Sequence, residues 1–481
     1  MTGHAGSHGA TVPRGLDAPD AGGTGRGRFG RMFAELPSRE LSTAAIDKLY
    51  DRIFATSTGA IPPVNESVPA GYTHLGQFID HDLTFDPMSQ LGKDNDPLAL
   101  QNFRTPRFDL DSLYGSGPRD QPFLYEFHTK FERVKLLVGR SPGSQDGETI
   151  DDLPRNHQGR ALIGDARNDE HLILAQLHLL FAQFHNTVVE KVSKTGLKDA
   201  ELLREAQRIV RWHYQWIVVH DFLRKVAGTG TAWRVLSPGD EGPTVNLRHF
   251  RPETGPYIPV EFSGAAYRFG HSMVRQGYRL NAAMTGERPI FEHSSVPTHL
   301  GGFRALPADS VIDWSFFFRI PGHQPPQLSH RIDPLISARL FSLPKDVGLD
   351  GVRELPRLNL LRSRALGLPA GPDVARLMGE TPLTDAQLGI ADVQPDHIRE
   401  ELGRGCPLWY YVLSEAQALE DGRHLGPVGA AIVAEVLVGL LAADPSSYLC
   451  QWPTWTPELG HGDDFTMTDL VQFVHPEDVD A

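Results

Sequence analysis

A mainly α-helical protein with long irregular connections is the fold class this sequence predicts. Three observations carry the expectation. Residues 169–192 repeat apolar side chains at helical spacing, with Leu172, Ala175, Leu179, Leu180 and Phe184 along one side. Residues 199–227 do the same with Leu202, Leu203, Ala206, Ile209, Val210, Trp216, Ile217 and Phe222. Between the apolar stretches lie long segments punctuated by Pro, Gly, Asp and Asn, which favour turns over regular elements. Such an arrangement suits a chain organised around a large cofactor.

In chain order, residues 1–30 read as a disordered arm, rich in Gly, His, Thr and Arg without an apolar core. Residues 41–54 read as a helix and 60–70 as a Pro-containing loop. Residues 73–83 read as a short helix, because Leu75, Ile79 and Leu83 recur at its period. Residues 86–120 and 140–160 read as loops, and the two long helices follow. Residues 237–260 return to loop and 262–275 read as a helix. Residues 280–330 are rich in Pro, His and Phe with short β-like runs. Residues 335–343 and 374–378 read as helix pieces, 426–442 as an apolar helix and 465–474 as a last short one. Residues 31–481 then read as a single domain without internal repeats. Gly-Thr-Gly at 228–230 follows a helix, not a strand, so it makes no dinucleotide fingerprint.

Bulk properties exclude several function classes. A chain of 481 residues, 40% hydrophobic and 22% charged, can bury a sizeable core. A formal net charge of −14 without a long basic run argues against nucleic acid as a partner. No stretch approaches the ~20 consecutive apolar residues of a transmembrane segment; Glu435 interrupts the longest apolar run, 428–443. Cys406 and Cys450 are the only cysteines, so folding needs no disulfide framework, and whether they pair is open. Residues 1–30 lack the apolar core of a secretory leader. The expected compartment is the cytoplasm, or an exported location reached without a cleaved signal peptide. Oligomeric state is not legible.

Chemistry concentrates in five segments. The first is Gly71-Tyr-Thr-His-Leu-Gly-Gln-Phe-Ile-Asp-His-Asp-Leu-Thr-Phe-Asp86. On a helix, Gln77 and His81 share a face. Asp82 is turned about 100° from His81 and serves a different site. A second His-Asp pair, His220-Asp221, shows that such pairs are also structural. The second segment is Gly164-Asp-Ala-Arg-Asn-Asp-Glu170, where Arg167 and Glu170 share a face; it also reads as a helix cap with solvated charges. In the third, Thr105, Asp109 and Asp111 alternate along an extended loop, hard oxygen ligands suited to calcium, although acidic turns are common and the EF-hand pattern is missing. The fourth, Tyr267-Arg-Phe-Gly-His271, sets a histidine in an apolar context beside a glycine that lets a large group approach the backbone; it also reads as a hydrogen-bonded core histidine. The fifth is Leu358-Asn-Leu-Leu-Arg-Ser-Arg364.

Together these segments resemble the animal-type haem peroxidases, the peroxidase–cyclooxygenase superfamily, in the family's own order. Gln-Phe-Ile-Asp-His-Asp is similar to the distal helix, Gly-Asp-Ala-Arg-Asn-Asp-Glu to the distal arginine segment, Tyr-Arg-Phe-Gly-His to the proximal histidine segment and Leu-Asn-Leu-Leu-Arg-Ser-Arg to the propionate-binding segment. The early Gly-Arg-Phe-Gly-Arg-Met-Phe and the later Pro-Leu-Trp-Tyr-Tyr-Val-Leu resemble bacterial members. The resemblance implies a helical fold with haem b buried among central helices. It implies reduction of hydrogen peroxide and oxidation of a small donor such as a halide, a pseudohalide or a phenol, with a role in the response to oxidative stress.

Carried over residue by residue, the resemblance makes His271 the axial iron ligand, with Asn359 on its other nitrogen. His81 becomes the distal base, beside Gln77 and Arg167. Arg268 and Arg362 would meet the haem propionates. Asp80 and Glu170 match carboxylates that form esters with haem methyl groups. Asp82, Thr105, Asp109, Asp111 and the carbonyl of Arg107 match the family's calcium ligands. The chain departs from the pattern at His171, where some members carry a sulfonium-forming methionine. It departs again at Asp111, in place of a serine, and at Ala365-Leu366, in place of Asp-His.

Three rivals remain at this stage. A fatty-acid dioxygenase on the same fold would use a tyrosyl radical three residues before the proximal histidine, a position held here by Arg268, with Tyr267 beside it. A metal-dependent phosphohydrolase of the HD type would use His74, His81 and Asp82. A catalytically silent interaction protein would not need the intact set of His81, Arg167 and His271.

Overall fold

Pro427–Ala443, the apolar helix expected in the last third of the chain, is buried on nearly every side. It packs against Leu408–Glu420, Leu223–Ala227 and Thr229–Val235. The structure is a computed structural model and describes residues 27–85, 101–252, 255–291, 299–344 and 351–476. The expectations for residues 1–26, 86–100 and 292–298 lie outside the described residues.

The two long helices form as their periodicity predicts. Leu172–Ser193 opens on His171, whose ring nitrogen caps the Leu174 N–H. It packs between Gly71–Leu83 and Asp199–Trp216. Leu172–Ser193 has the length and apolarity of a membrane span, contrary to the expectation that no stretch comes close. Its burial among other helices makes it a core helix here. Asp199–Trp216 runs on through a π-helical turn, Ile217–Phe222, into Leu223–Ala227. The helix expected at 41–54 is Thr43–Gly59, capped by Ser42. Met467–Val474 begins with a capping box between Thr466 and Asp469.

Several expectations are corrected. Gly27–Gly30, assigned to the arm, is a strand paired antiparallel to Gln101–Asn102 and parallel to Ile258–Pro259. The loop at 60–70 contains the strand Val64–Pro69, whose partner Leu328–His330 lies far along the chain. The polar segment 140–160 holds a hairpin of Gly139–Pro142 with Thr149–Asp152. The helix expected at 262–275 is broken into a turn, Val260–Ser263, and a 3-10 helix, Ala266–His271. Ala265, at φ −136° and ψ −74°, leaves helical geometry between them. Of 335–343, only Ala338–Phe341 is helical, as a 3-10 turn flanked by non-helical Ser337 and Ser342. Leu355–Ala365, Asp396–Gly405 and Leu408–Glu420 are helices that periodicity did not reveal. In Leu408–Glu420 residues 408–416 are buried without a break, which erases the 3.6-residue alternation. Cys406 is buried, Cys450 is exposed, and both are free thiols.

Candidate functional site

One cavity of about 390 Å³ lies in the middle of these helices, a size typical of small-molecule sites. It brings together residues from four separate segments. Gly71–Leu83 contributes Gln77, Asp80 and His81. The 3-10 turn Ala166–Asp169 contributes Arg167, followed by Glu170 and His171. Ala266–His271 contributes Arg268 and His271, and Leu355–Ala365 contributes Asn359 and Arg362. Leu340, Leu343, Leu355, Leu358, Phe222 and Val260 supply apolar wall.

His81 is set up as a neutral base. Its Nδ1 donates to Asn168 Oδ1 at 2.8 Å. Burial, reinforced by the neighbouring Arg167, lowers its pKa to about 4. Arg167 is clamped: Nη2 donates to the His81 carbonyl at 3.0 Å and to Asp165 Oδ2 at 2.7 Å, and the guanidinium covers the Phe85 ring. Burial pushes the Asp165 carboxyl up, but Arg167 and Arg104 outweigh it and hold that group well below the usual range.

The Gln77 amide is oriented from both ends. The Leu174 N–H donates to His171 Nδ1, so the ring hydrogen sits on Nε2, which donates to Gln77 Oε1 at 2.9 Å. Gln77 Nε2 in turn faces Glu170 at 3.4 Å. Burial raises Glu170 to about 7 against the pull of Arg167. Asp80 has the same burial penalty but sits near Arg268, His81 and Arg167, which turn its shift downward; its Oδ1 also accepts from the Thr84 hydroxyl at 3.0 Å.

His271 Nδ1 lies 2.9 Å from the Asn359 side-chain amide. The atom placed there is Nδ2, and the O and NH2 ends of the amide are nearly isosteric. With Oδ1 toward the ring, Nδ1 donates and Nε2 keeps the lone pair of a metal ligand. Burial, with Arg268 adding to it, lowers His271 to about 3, so the ring is neutral. Arg268 is braced by its Nε donating to the Ser263 carbonyl at 2.8 Å. A Cβ added at Gly270 would meet nothing within 4 Å, so the backbone beside His271 faces open space. A neutral imidazole beside open space, apolar walls, and Arg268 and Arg362 in the lining form a donor set and cradle that fit haem b.

The aspartates form a second centre. Ligand oxygens of Asp82, Asp109 and Asp111 lie within 4.8 Å of one another. Among the described residues, Asp82 Oδ1 and Asp111 Oδ2 are buried without hydrogen-bond partners. Burial and the other two carboxylates push Asp82 well up; burial raises Asp111 to about 7 despite Arg104. The Thr105 hydroxyl donates to Asp109 Oδ2 at 2.7 Å. Clustered carboxylate oxygens of this kind are the donor chemistry that fits a hard cation, with Arg104 Nη1 already 3.1 Å from Asp111 Oδ1. The Arg107 side chain lies 3.9 Å from Asp444.

The phosphohydrolase reading is overturned. His74 faces the rings of His171 and Tyr278, His81 turns to Asn168, and Asp82 belongs to the aspartate cluster. Among the described residues these three do not converge on one metal position. The second His-Asp pair is structural, since Asp221 accepts from the Tyr72 hydroxyl and the Met467 N–H. Sequence reasoning missed Asn168 and Asp165 as partners of His81 and Arg167. Both lie inside the quoted segment 164–170, but nothing local marks which side chains they meet. It also missed that the Tyr267 hydroxyl donates to the Gly76 carbonyl at 3.2 Å.

The fold and cavity together define the class: a helical scaffold around a buried cavity that gathers histidines, arginines and carboxylates from four segments. The model of the family described as animal haem peroxidase matches residues 90–403, and the chain belongs to that family. Chorion peroxidase of Drosophila melanogaster is 27% identical over 334 residues, which cover 68% of this chain and 39% of that protein. The chain thus spans less than half the length of that curated relative. Peroxidase A of Dictyostelium discoideum has the same fold, with a TM-score of 0.61 at 15% identity over 87% of this chain and 88% of its own. So has the fatty acid alpha-dioxygenase of Oryza sativa, with a TM-score of 0.57 at 16% identity over 88% of this chain and 79% of its own.

Proposed function

We propose that this protein is a haem-dependent peroxidase that reduces hydrogen peroxide and oxidises a small donor, a halide, a pseudohalide or a phenol-like molecule. The observation that carries the reading is a neutral, buried His81 in the same cavity as Arg167 and the His271–Asn359 pair. His271 Nε2 is the atom that would ligate the iron, and Asn359 would hold the ring's orientation and basicity. Arg268 and Arg362 would pair with the propionates. Asp80 and Glu170 are the carboxylates that would attach covalently to the porphyrin edge.

When bound, haem supplies an iron centre that takes oxidising equivalents from peroxide and passes them to the donor. His81 Nε2 accepts a proton from one peroxide oxygen and returns it to the departing one. The Arg167 guanidinium stabilises negative charge on the departing oxygen. The Gln77 amide, oriented between His171 and Glu170, lines the cavity and would order what binds there. The buried walls exclude bulk water and strengthen these interactions. The dioxygenase reading lacks its radical tyrosine, since that position is Arg268, and the likeness to the Oryza protein is one of fold.

The purified protein tests the reading: a Soret band together with peroxide-dependent oxidation of a phenol or halide is expected, and their absence in haem-supplemented protein would overturn it. The same preparation tests the covalent links. After peroxide turnover, acid–organic extraction should leave haem on the chain, and the Asp80→Ala, Glu170→Ala double variant should release it. Free haem b alone in mass spectra of the denatured wild-type chain would remove that role from both carboxylates.

We further propose calcium between Asp82 and the Thr105–Asp111 loop, with the Arg107 carbonyl as an additional ligand. The ion would tie the helix that carries His81 to that loop and hold the base in place. Elemental analysis should find one calcium per chain, and Asp109→Ala should lose it and slow the peroxide reaction. Calcium-free protein from a chelator-free preparation would refute the site.

A further inference from the structure

We propose that Asn168 is a positioning residue that selects the tautomer of His81, so that the base turns its lone pair toward the cavity. The inference rests on the peroxidase reading above. A neutral imidazole carries one hydrogen on either of two nitrogens, and only the bare nitrogen can accept a proton. His81 Nδ1 lies 2.8 Å from Asn168 Oδ1, an atom that can only accept. The hydrogen therefore sits on Nδ1 and the lone pair on Nε2.

The other end of the amide lies against a second ring: Asn168 Nδ2 is 3.0 Å from His178 Nδ1 and donates to it when that nitrogen is bare. Turned over, the amide would present Nδ2 to His81 Nδ1. That ring would then carry its hydrogen on Nε2 and could take no proton from peroxide there. His81, Asn168 and His178 are 5%, 0% and 3% exposed, so bulk water does not compete for these bonds. The charged and titratable groups around the ring are Arg167, Asp165 and Asp80, with His171 at the start of the next helix. Among the described residues none of them is hydrogen-bonded to His81 Nδ1. Asn168 and Arg167 are neighbours in one 3-10 turn, capped by the Asp165 side chain on the Arg167 N–H. A single turn thus places both the charge-stabilising arginine and the group that chooses which nitrogen of the base is free.

The test uses haem-loaded protein labelled with ¹⁵N-histidine, in the diamagnetic ferrous carbon monoxide complex. Two-bond ¹H–¹⁵N correlation spectra, with His81 assigned through His81→Gln, should show hydrogen on Nδ1 and a bare Nε2 in the wild type. Asn168→Leu removes the acceptor and should move population to the Nε2–H form. Its bimolecular rate with peroxide should fall about 10- to 100-fold, the usual size of a lost second-layer partner. Asn168→Asp keeps an acceptor oxygen and should retain the Nδ1–H form and most of the rate. Should Asn168→Leu fail to take up haem, Asn168→Ala is judged by the same two readouts. A wild-type tautomer in the acceptor-less variant overturns the proposal, and so does a changed tautomer with an unchanged rate. Failure of the peroxidase reading would show separately, as a wild-type protein that binds no haem or does not react with peroxide.

Discussion

His271→Ala is expected to abolish stable haem incorporation, giving protein without a Soret band after gel filtration. The substitution removes the imidazole next to the open space at Gly270 and leaves the buried Asn359 amide facing a void. Apolar walls and arginines would still attract haem weakly, so the criterion is retention rather than transient uptake. A cofactor that binds only the folded chain stabilises it in proportion to RT ln(1 + [L]/Kd). The variant should therefore also melt at a lower temperature than the haem-loaded wild type. His271→Gly supplied with free imidazole separates ligation from folding, since a diffusible ligand should restore the band. A normal Soret band and full activity in His271→Ala would sink the assignment.

His81→Ala should keep its haem and lose peroxide activation. The first oxidised state should form roughly 10²-fold more slowly or worse, the usual cost of a missing general base. Arg167 remains in the variant, held by Asp165 and not by the His81 side chain, so its share of charge stabilisation should survive. Residual activity above that of free haem is the expected consequence. Stopped-flow traces that superimpose on the wild type would remove His81 from the mechanism.

Much of the candidate site was legible because proton chemistry needs particular side chains at particular spacings. Gln77 and His81 stand one helical turn apart, and the structure puts both on the cavity wall. Arg167 and Glu170 also line it together. The segment around His271 was legible in identity but not in shape: its apolar residues imitate a helix, while Ala265 breaks it into two short pieces. Leu408–Glu420 was illegible for the opposite reason, since a helix buried all round has no polar face to reveal its period. The strand Val64–Pro69 has its partner more than two hundred residues away, and no local pattern reports that.

The long amphipathic helices, the helical class and the list of chemically capable side chains are properties of short stretches of chain, and the sequence alone determines them. Which nitrogen of His81 carries the hydrogen depends on Asn168, 87 positions away. The geometry of His271 depends on Asn359, 88 positions away. The three aspartates converge from Gly71–Leu83 and a loop beyond it. Protonation state and tautomer are set by burial and by the groups within a few ångströms, and only the tertiary fold decides which groups those are.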